Sequence, residues 1–349
     1  MGLSAWHYGL SVFHYIKESR QINNAHTRSA RTQTKEITMN TRKALDAQAI
    51  ALMLVLCLIW GLQQVVLKAT AADIAPILQI GLRSGVAAVL VGLLMWARGE
   101  RMRLRDGTWR PGVVVGLLFG LEFLLVGEGL RHTSASHMVV FLYTAPIFAA
   151  LGLHWKLPAE RLGAVQWLGI ALAFSGIALA FFGRSAPAVA TAGNMLWGDF
   201  LGLLAGMAWG ATTMVVRTTP LSTAPATQTL LYQLVGAFVL LMGAAVLTGQ
   251  TQFNPTPQVW ASLAFHSLVV SFASFLVWFW LLRHYLANRL GVFSFMTPLF
   301  GIVFGAWLLS EPMELSFVLG AVPVLAGIVL VSGGPWVTQT LDRVWRRTH

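Results

Sequence analysis

From residue 47 to residue 333 the chain is dominated by ten apolar segments, each about 19–24 residues long. An α-helix rises about 1.5 Å per residue, so each segment can cross a hydrocarbon core of roughly 30 Å. Lipid offers the backbone no hydrogen-bond partners, and a continuous apolar run of this length meets that constraint as a helix. We therefore predict an all-α integral membrane protein with ten transmembrane helices, at residues 47–67, 76–97, 111–130, 136–154, 163–182, 196–215, 226–248, 259–282, 291–309 and 316–333.

The composition excludes a water-soluble protein and several classes of function. Charged residues make up 11% of the chain, whereas soluble domains carry about 25%. The net charge of +11 comes from basic residues in connections and at the ends, not from a basic face, so we expect no nucleic-acid partner. The single cysteine, Cys57, cannot form an internal disulfide or a cysteine-based metal site. The motifs GxxxxGK(S/T), HExxH and GxSxG are absent, and we predict no cofactor and no bound metal.

Part of the sequence recurs about 150 residues further on. The first matches, all 149 residues apart, are Trp60 with Trp209, Gly61 with Gly210, and Lys68 with Arg217. Later matches, all 151 residues apart, are Glu160 with Glu311, Gly169 with Gly320, and Gly176 with Gly327. A two-residue insertion accounts for the difference. An almost wholly apolar chain built from two similar halves is typical of transporters.

The distribution of Lys and Arg predicts the orientation of the helices. From residue 39 onward, an N-terminus in the cytoplasm puts fifteen basic residues on the cytoplasmic side and three outside, at Lys68, Arg131 and Arg184. The positive-inside rule then places both termini in the cytoplasm. Because each half holds five helices, the second half enters the membrane from the opposite side, and the duplication is an inverted repeat.

These patterns divide the chain into four parts. We expect residues 39–183 and 195–333 to form the two five-helix repeats. Residues 1–38 are polar and basic without a long apolar run, and we interpret them as a disordered extension, with a lipid-surface anchor as the alternative. Residues 334–349 are expected to form a basic cytoplasmic tail.

Rows of glycine predict where helices approach each other closely. Glycines recur every four residues in two of the segments, at Gly112, Gly116 and Gly120 in the third and at Gly198, Gly202, Gly206 and Gly210 in the sixth. Such a row lets two helix backbones come together in a membrane. Static packing and an interface that slides during transport both fit this pattern.

The prolines inside the predicted segments include Pro146 in the fourth and Pro298 in the ninth. Each removes a backbone hydrogen bond and frees a carbonyl group. In membrane helices such breaks accompany hinges and binding sites, although simple kinks are the alternative.

Three ionisable residues, Arg83, Glu122 and His266, stand deep inside apolar segments. Counting from the segment ends places all three roughly 10–14 Å below the outer surface of the hydrocarbon core. A charge in hydrocarbon costs at least ~2.5–3.5 kcal/mol, so such groups face a cavity or a partner. We hypothesise that Arg83 and Glu122 pair across a central solute-binding cavity lined by His266. The alternatives are an ion pair that only holds two helices together and a histidine that is a satisfied packing residue.

Aromatic and amide side chains form a second set of candidates for solute binding. Trp60 and Trp209 lie about 5 Å on either side of the membrane midplane. Aromatic faces beside a few amide or hydroxyl groups suit a small amphipathic organic solute better than a bare ion. Packing between helices is the alternative for both tryptophans. The remaining candidates are Gln63, Gln64, Gln79, Tyr143 and Tyr232.

Several motifs together resemble the EamA-type family of the drug/metabolite transporter superfamily. They are Trp60-Gly61, the run HTSASHMVVFLYTAP at residues 132–146, the turn Glu160-Arg161-Leu162 and the helix start Gln166-Trp167-Leu168-Gly169. A second copy is visible at Trp209-Gly210, Thr297-Pro298, Glu311 and Gly320. The resemblance covers residues from about 45 to 333. It implies ten helices with both termini inside, a central cavity and export of small metabolites, often amino acids or drugs, in bacteria. Pro312 follows Glu311 where the family has a Glu-Arg-like turn, so we assign that turn no coupling role.

We therefore expect a secondary transporter that exports a small organic solute by alternating access, in a bacterial inner membrane. Its partners are the solute and the lipid bilayer, and a homodimer is left open. Glu122 is the best single candidate for proton carriage. Uptake instead of export is the alternative direction. Other classes are an intramembrane enzyme that uses Glu122 with His137 or His266, and a membrane scaffold or sensor without transport.

Overall fold

The computed structural model describes residues 46–102, 106–158, 161–182, 191–285 and 293–348. Within these ranges the protein is all-helical, apart from one isolated β-bridge between Ile74 and Phe253. The predictions for residues 1–38, Glu160 and Arg184 concern residues outside the described ranges. In chain order the helices are α1 (Ala47–Ala69), α2 (Pro76–Ala97), α3 (Trp109–Gly129), α4 (Ala135–Leu142), α5 (Ala145–Lys156), α6 (Ala164–Phe182), α7 (Thr191–Thr218), α8 (Ala226–Leu247), α9 (Pro257–Ala264), α10 (Phe275–His284), α11 (Met296–Leu308) and α12 (Leu315–Thr348).

Each of the ten predicted segments coincides with helix. In the described part of the chain, eight helical stretches are long and apolar enough to cross a membrane, and two shorter apolar helices lie at Ala164–Ala180 and Met296–Leu308. α7 begins at Thr191, earlier than the predicted residue 196. α12 continues to Thr348, through the residues predicted as a tail. A hydropathy pattern detects only the apolar part of a helix, so a polar extension at either end escapes it.

The helices α2 and α8 end in the same way. Gly99 and Gly249 adopt positive φ angles of 66° and 69°. The next N–H groups, of Glu100 and Gln250, donate to carbonyl groups of the last helical turn at 2.9 and 2.8 Å. Glycine favours this left-handed conformation, and the hydrogen bond satisfies a carbonyl that the helix leaves unpaired.

Three predicted membrane segments are not regular α-helices throughout. The break predicted from Pro146 is confirmed, because Tyr143 and Thr144 separate α4 from α5. The Phe141 carbonyl at this break accepts a 2.6 Å hydrogen bond from Thr144 Oγ1. In the ninth segment a turn at residues 294–295 directly precedes α11, whose third residue is Pro298. In the eighth, a π-helical stretch at Phe265–Ser274 joins α9 to α10, and nothing in the sequence predicts it.

Close contacts between glycines join α6 to α12. A Cβ atom on Gly169 would lie 2.9 Å from the carbonyl oxygen of Gly327, and one on Gly176 would lie 2.5 Å from that of Gly320. Any side chain at these positions would force the helices apart. In the sequence repeat Gly169 matches Gly320 and Gly176 matches Gly327. Exchanging the two halves therefore turns one of these contacts into the other.

The matched glycines Gly61 and Gly210 pack in equivalent ways. A Cβ atom on Gly61, in α1, would lie 2.9 Å from the backbone nitrogen of Gly301 in α11. A Cβ atom on Gly210, in α7, would lie 2.9 Å from the backbone nitrogen of Ala149 in α5. Each of the two glycines therefore packs directly on the backbone of a helix that begins at a predicted proline break.

Both predicted glycine rows lie at close helix contacts. The row in α3 faces α8, where Gly116 and Gly236 bring the two backbones together and Gly112 meets the ring of Tyr232. The row in α7 faces α4, α5 and the turn before α4. The expectation of close packing is confirmed for both rows, while sliding during transport stays a prediction.

The connections at one end of the bundle bind one another. Ala75 N donates to Gln252 O at 3.2 Å and Asn254 N donates to Asp73 O at 2.8 Å, so the α1–α2 and α8–α9 connections are joined. Gln250 Nε2 donates to Glu128 at the end of α3 at 3.0 Å. We call this the α1–α2 end of the bundle.

Replacing Gly236 by alanine tests the α3–α8 contact. A Cβ atom there would clash with the backbone of Gly116, which cannot move aside as a flexible side chain could. We expect Gly236→Ala to cost about 1–3 kcal/mol of stability. Cys57 is buried and is the only cysteine, so reaction of its thiol with a fluorogenic dye during heating in detergent reports unfolding.

Gly243→Ala in the same helix is the matched control, because a Cβ atom at Gly243 meets nothing within 4 Å. Its unfolding midpoint should equal or exceed that of the unchanged protein, since alanine favours helix over glycine by about 1 kcal/mol. Equal midpoints for the two variants would show that the α3–α8 contact is looser than described.

Candidate functional site

Arg83 is buried in α2 with only 3% of its surface exposed. Its Nη1 donates to Gln63 Oε1 of α1 at 3.2 Å. The guanidinium carbon lies 4.5 Å from the ring centroid of Phe123 in α3, which is a cation–π distance. Its Nε has no partner within the described structure. The arginine therefore links three helices and keeps one N–H group available.

Glu122 is 4% exposed, and its Oε2 has no hydrogen-bond partner among the described residues. The ion pair hypothesised between Arg83 and Glu122 is not formed in this structure, because the described salt bridges do not include it. The guanidinium instead contacts the Gln63 amide and the ring of Phe123, the residue next to Glu122.

His266 belongs to the π-helical stretch and is fully buried. Its Nε2 lies 3.1 Å from the backbone oxygen of Gln63, and its Nδ1 lies 3.4 Å from Gln79 Nε2. Nδ1 also lies 2.8 Å from the backbone oxygen of Ser262, so a carbonyl oxygen faces each ring nitrogen. π-helical turns are rare and often occur at functional sites, and this one turns the histidine toward α1 and α2. We call Arg83, Gln63, His266 and Gln79 the Arg83 cluster.

Gln79 connects the Arg83 cluster to the α1–α2 end. It is fully buried, and its Oε1 accepts a 2.9 Å hydrogen bond from Thr70 Oγ1. Its Nε2 donates to Ser262 Oγ in α9. The residue that matches Gln79 in the second half, Gln228, is also buried and donates to Thr108 Oγ1 at 3.0 Å.

The two matched tryptophans have different surroundings. Trp60 Nε1 donates to Ser274 Oγ at 2.9 Å, and its ring meets Trp278 edge-on at 5.7 Å. Trp209 meets the ring of Tyr143 edge-on at 5.2 Å, at the break between α4 and α5. Both tryptophans are half-buried, so their role in lining a solute path stays a prediction.

The last two predicted residues lie apart from these groups. Gln64 is 2% exposed, and its Oε1 has no partner in the described ranges. The ring of Tyr232 packs on Gly112, and its hydroxyl has no partner there either. None of the described contacts of Tyr232 is with the Arg83 cluster, and its part in solute binding stays a prediction.

The sequence analysis missed a buried pair between α4 and α7. His137 Nδ1 lies 3.1 and 3.0 Å from the two carboxylate oxygens of Asp199, and both side chains are at most 2% exposed. Asp199 is the fourth residue of the predicted sixth segment, so it counts as interfacial there. Because α7 begins at Thr191, Asp199 in fact lies two turns inside the helix.

Two more charges are held at the turn between α3 and α4. Lys68 Nζ donates to the carbonyls of Leu130 and of Thr133, the latter at 2.9 Å. The Glu311 carboxylate accepts from the N–H groups of Ala135 and Ser136 at 2.6 and 3.0 Å. A cation at the end of one helix and an anion at the start of the next both match the helix dipoles.

A separate contact lies at the opposite end of the bundle. The hydroxyl of Tyr285 donates to the carboxylate of Asp46, at 3.0 and 2.8 Å from its two oxygens. This hydrogen bond raises the pKa of Tyr285 above its ordinary value, since the carboxylate favours the protonated hydroxyl. Asp46 also caps α1 by accepting from Ala49 N at 2.9 Å. The first and eighth segments are therefore held together at this end.

No group of three or more His, Cys, Asp or Glu side chains in the described ranges is arranged to hold a metal ion. The apolar helices and the polar groups held between them define a multi-pass membrane protein. The sequence pattern of the EamA-like transporter family matches residues 47–182 and 196–333. The chain belongs to this family, as the sequence motifs indicated, and is a membrane transporter.

Several relatives carry transporter names. The chain is 25% identical to the uncharacterized transporter YoaV of Bacillus subtilis over 274 residues, which are 78% of this chain and 92% of YoaV. It is 23% identical over 291 residues to the uncharacterized inner membrane transporter YedA of Escherichia coli, covering 81% of this chain and 90% of YedA. A solved crystal structure matches with a TM-score of 0.56 at 16% identity, over 82% of this chain and 97% of the other, which supports the fold alone.

Replacing Gln79 by leucine tests the hydrogen-bond network around His266. The change removes one hydrogen-bond partner from Thr70 and one from Ser262 in a fully buried place. Each hydrogen bond lost contributes about 0.5–1.5 kcal/mol net. We therefore expect Gln79→Leu to lower the midpoint of thermal unfolding clearly. Gln258→Leu, at an exposed position near the start of α9, is the control and should leave the midpoint almost unchanged.

Proposed function

We propose that this protein is a secondary transporter that exports small organic metabolites, such as amino acids or drug-like solutes, by alternating access. The observation that carries the proposal is a set of buried polar atoms without partners in the described structure: Arg83 Nε, Glu122 Oε2 and Gln64 Oε1. Unsatisfied polar atoms are costly inside a membrane protein, and ionisable groups there usually mark a substrate pathway. A bound solute with complementary groups would satisfy them.

The internal symmetry of the packing supports ten transmembrane helices arranged as two inverted five-helix repeats, residues 39–183 and 195–333. The contacts of Gly61 and Gly210 are equivalent, and those between α6 and α12 are exchanged by the repeat. The ends of α2 and α8 share one capping motif. Two structurally equivalent halves can exchange conformations, and this exchange opens a central site to one side and then to the other.

The orientation rests on the basic residues of the connections. We propose that both termini lie in the cytoplasm of a bacterial cell, with the α1–α2 end facing outward across the inner membrane. The excess of Lys and Arg at the opposite end supports this orientation. The relative YedA is named as an inner membrane transporter, which is consistent with this location. The lipid bilayer is then the permanent partner of the apolar surface.

The break between α4 and α5 is the best candidate for a hinge. It places Tyr143 beside Trp209 of α7, in the other half. A movement here would shift aromatic groups of both halves together. Aromatic faces beside amide groups suit an amphipathic organic solute.

Counterflow in liposomes tests the proposal. Purified protein is reconstituted into vesicles loaded with an unlabelled panel of amino acids and nucleosides, and labelled solutes are added outside. Exchange of at least one labelled solute, absent from protein-free vesicles, supports transport. Chemical conversion of a solute without flux would favour an enzyme. If the protein shows no exchange and no conversion of any solute, the proposal is contradicted. Vesicles with a fixed protein orientation distinguish export from uptake.

Arg83→Gln and Glu122→Gln test the site. Each removes one charge that we assign to solute binding, and hydrogen bonds to charged groups contribute about 1.5–3 kcal/mol. We expect each variant to lower counterflow at a limiting solute concentration by at least about tenfold. Arg98→Gln is the control, because the Arg98 side chain is 54% exposed at the end of α2. If both site variants insert correctly and exchange at the unchanged rate, the site is wrong.

A further inference from the structure

The contact between His137 and Asp199 is the most completely buried ion pair in the described structure. The Asp199 side chain has no exposed surface and that of His137 has 2%. Thr133 Oγ1 donates a further hydrogen bond to Asp199 Oδ1. The imidazole lies flat on the ring of Phe317 in α12, with centroids 3.7 Å apart and planes inclined by 12°. The pair therefore joins α4, α7, α12 and the turn before α4.

Two charges around the pair already balance each other. Lys68 of α1 contacts the Thr133 carbonyl, and Glu311, which precedes α12, contacts Ser136. The helix α11 (Met296–Leu308) carries no titratable side chain. Four other titratable residues lie at this end of the helices that pack on α4. Glu128 binds both Arg131 and His132 at the end of α3, and Glu314 precedes α12.

The net charge of the pair depends on a single proton. With a neutral imidazole beside an ionised carboxylate, the pair carries one negative charge in a dry interior. With one more proton on the imidazole, the pair is an internal salt bridge with no net charge. An uncompensated buried charge is strongly destabilising, whereas a neutral pair is tolerated. An imidazolium is also attracted to the face of Phe317. The net charge of this buried pair therefore changes when one proton binds or leaves.

The pair lies on the elements that we assign to the moving part. All eight residues of α4 are buried, and this short helix ends at the break beside Tyr143. Asp199 shares α7 with Trp209, which contacts Tyr143. Losing the proton would weaken the contact that the pair makes between α4 and α7. It would also leave a negative charge, which is more stable in contact with water. Binding and loss of the proton are thus linked to movement of α4 and α7.

We propose that His137 and Asp199 form a proton-binding site that couples solute movement to the proton gradient. The proposal rests on the transport function proposed above. A proton from outside enters the pair when the α1–α2 end is open, is carried while the pair is packed, and leaves toward the cytoplasm as the solute moves out. The coupling proton is then held apart from the Arg83 cluster, and Glu122 is left to the solute.

The test compares two measurements in the same proteoliposomes, with the labelled solute that gives counterflow in the panel as the probe. Counterflow needs no proton gradient, whereas uphill accumulation in vesicles with an acidic lumen requires coupling. We expect the unchanged protein to accumulate the solute as protons leave. His137→Gln and Asp199→Asn should keep counterflow and lose the accumulation. If a single variant does not fold, the double variant with His137→Gln and Asp199→Asn is measured instead, because it leaves no uncompensated charge.

Glu128→Gln and His132→Gln are the matched controls, since these residues form a His–carboxylate pair that is 30% and 27% exposed near the same turn. Both controls should retain counterflow and accumulation. Uphill accumulation by Asp199→Asn at the unchanged level overturns the coupling proposal. The coupling proposal is also overturned if the unchanged protein shows counterflow but the proton gradient drives no accumulation of the solute. In that case the proposed transport function still stands. Absence of counterflow in the unchanged protein overturns both.

Discussion

Lipid offers no hydrogen-bond partners, so each buried polar group of this protein must find one inside the bundle. Arg83 finds the Gln63 amide and the face of Phe123, and His266 finds backbone and amide groups on α1, α2 and α9. Buried atoms of Arg83, Glu122 and Gln64 are exceptions to this rule, and so are oxygens of Tyr232, Gln250 and Thr297. Such exceptions are the physical basis for expecting a solute between these helices.

The glycine contacts explain why the two halves share a backbone arrangement but not a set of charges. Gly61 and Gly210 occupy equivalent places because a close backbone approach permits no side chain at either one. Arg83, by contrast, is matched in the repeat by Tyr232, which packs on Gly112. Packing constrains the shared positions in both halves alike. The positions that do not match between the two halves are free to differ, as transport in one direction requires.

The α3–α4 turn gathers the charges that the Arg83 cluster does not use. A lysine from α1 and a glutamate from the chain before α12 bind the two helix ends, and Asp199 of α7 binds the first turn of α4. These contacts connect both halves at the α1–α2 end. Because α4 stops at the Tyr143 break, any change at this turn is transmitted toward Trp209 through a short, fully buried helix.

The sequence by itself determined the helices, their family and the presence of Arg83, Glu122 and His266 inside them, because hydropathy and motif spacing are local properties. It also indicated the break at Pro146 and the close contacts of the glycine rows. Only the tertiary structure decided which partners the charges have. It gave Arg83 the Gln63 amide and the Phe123 ring as partners, laid the Tyr232 ring on Gly112 and brought Asp199 to His137, 62 residues away in the chain. It also showed the π-helical turn that aims His266. Partners and helix irregularities depend on how helices far apart in sequence are packed, and a local pattern does not contain that information.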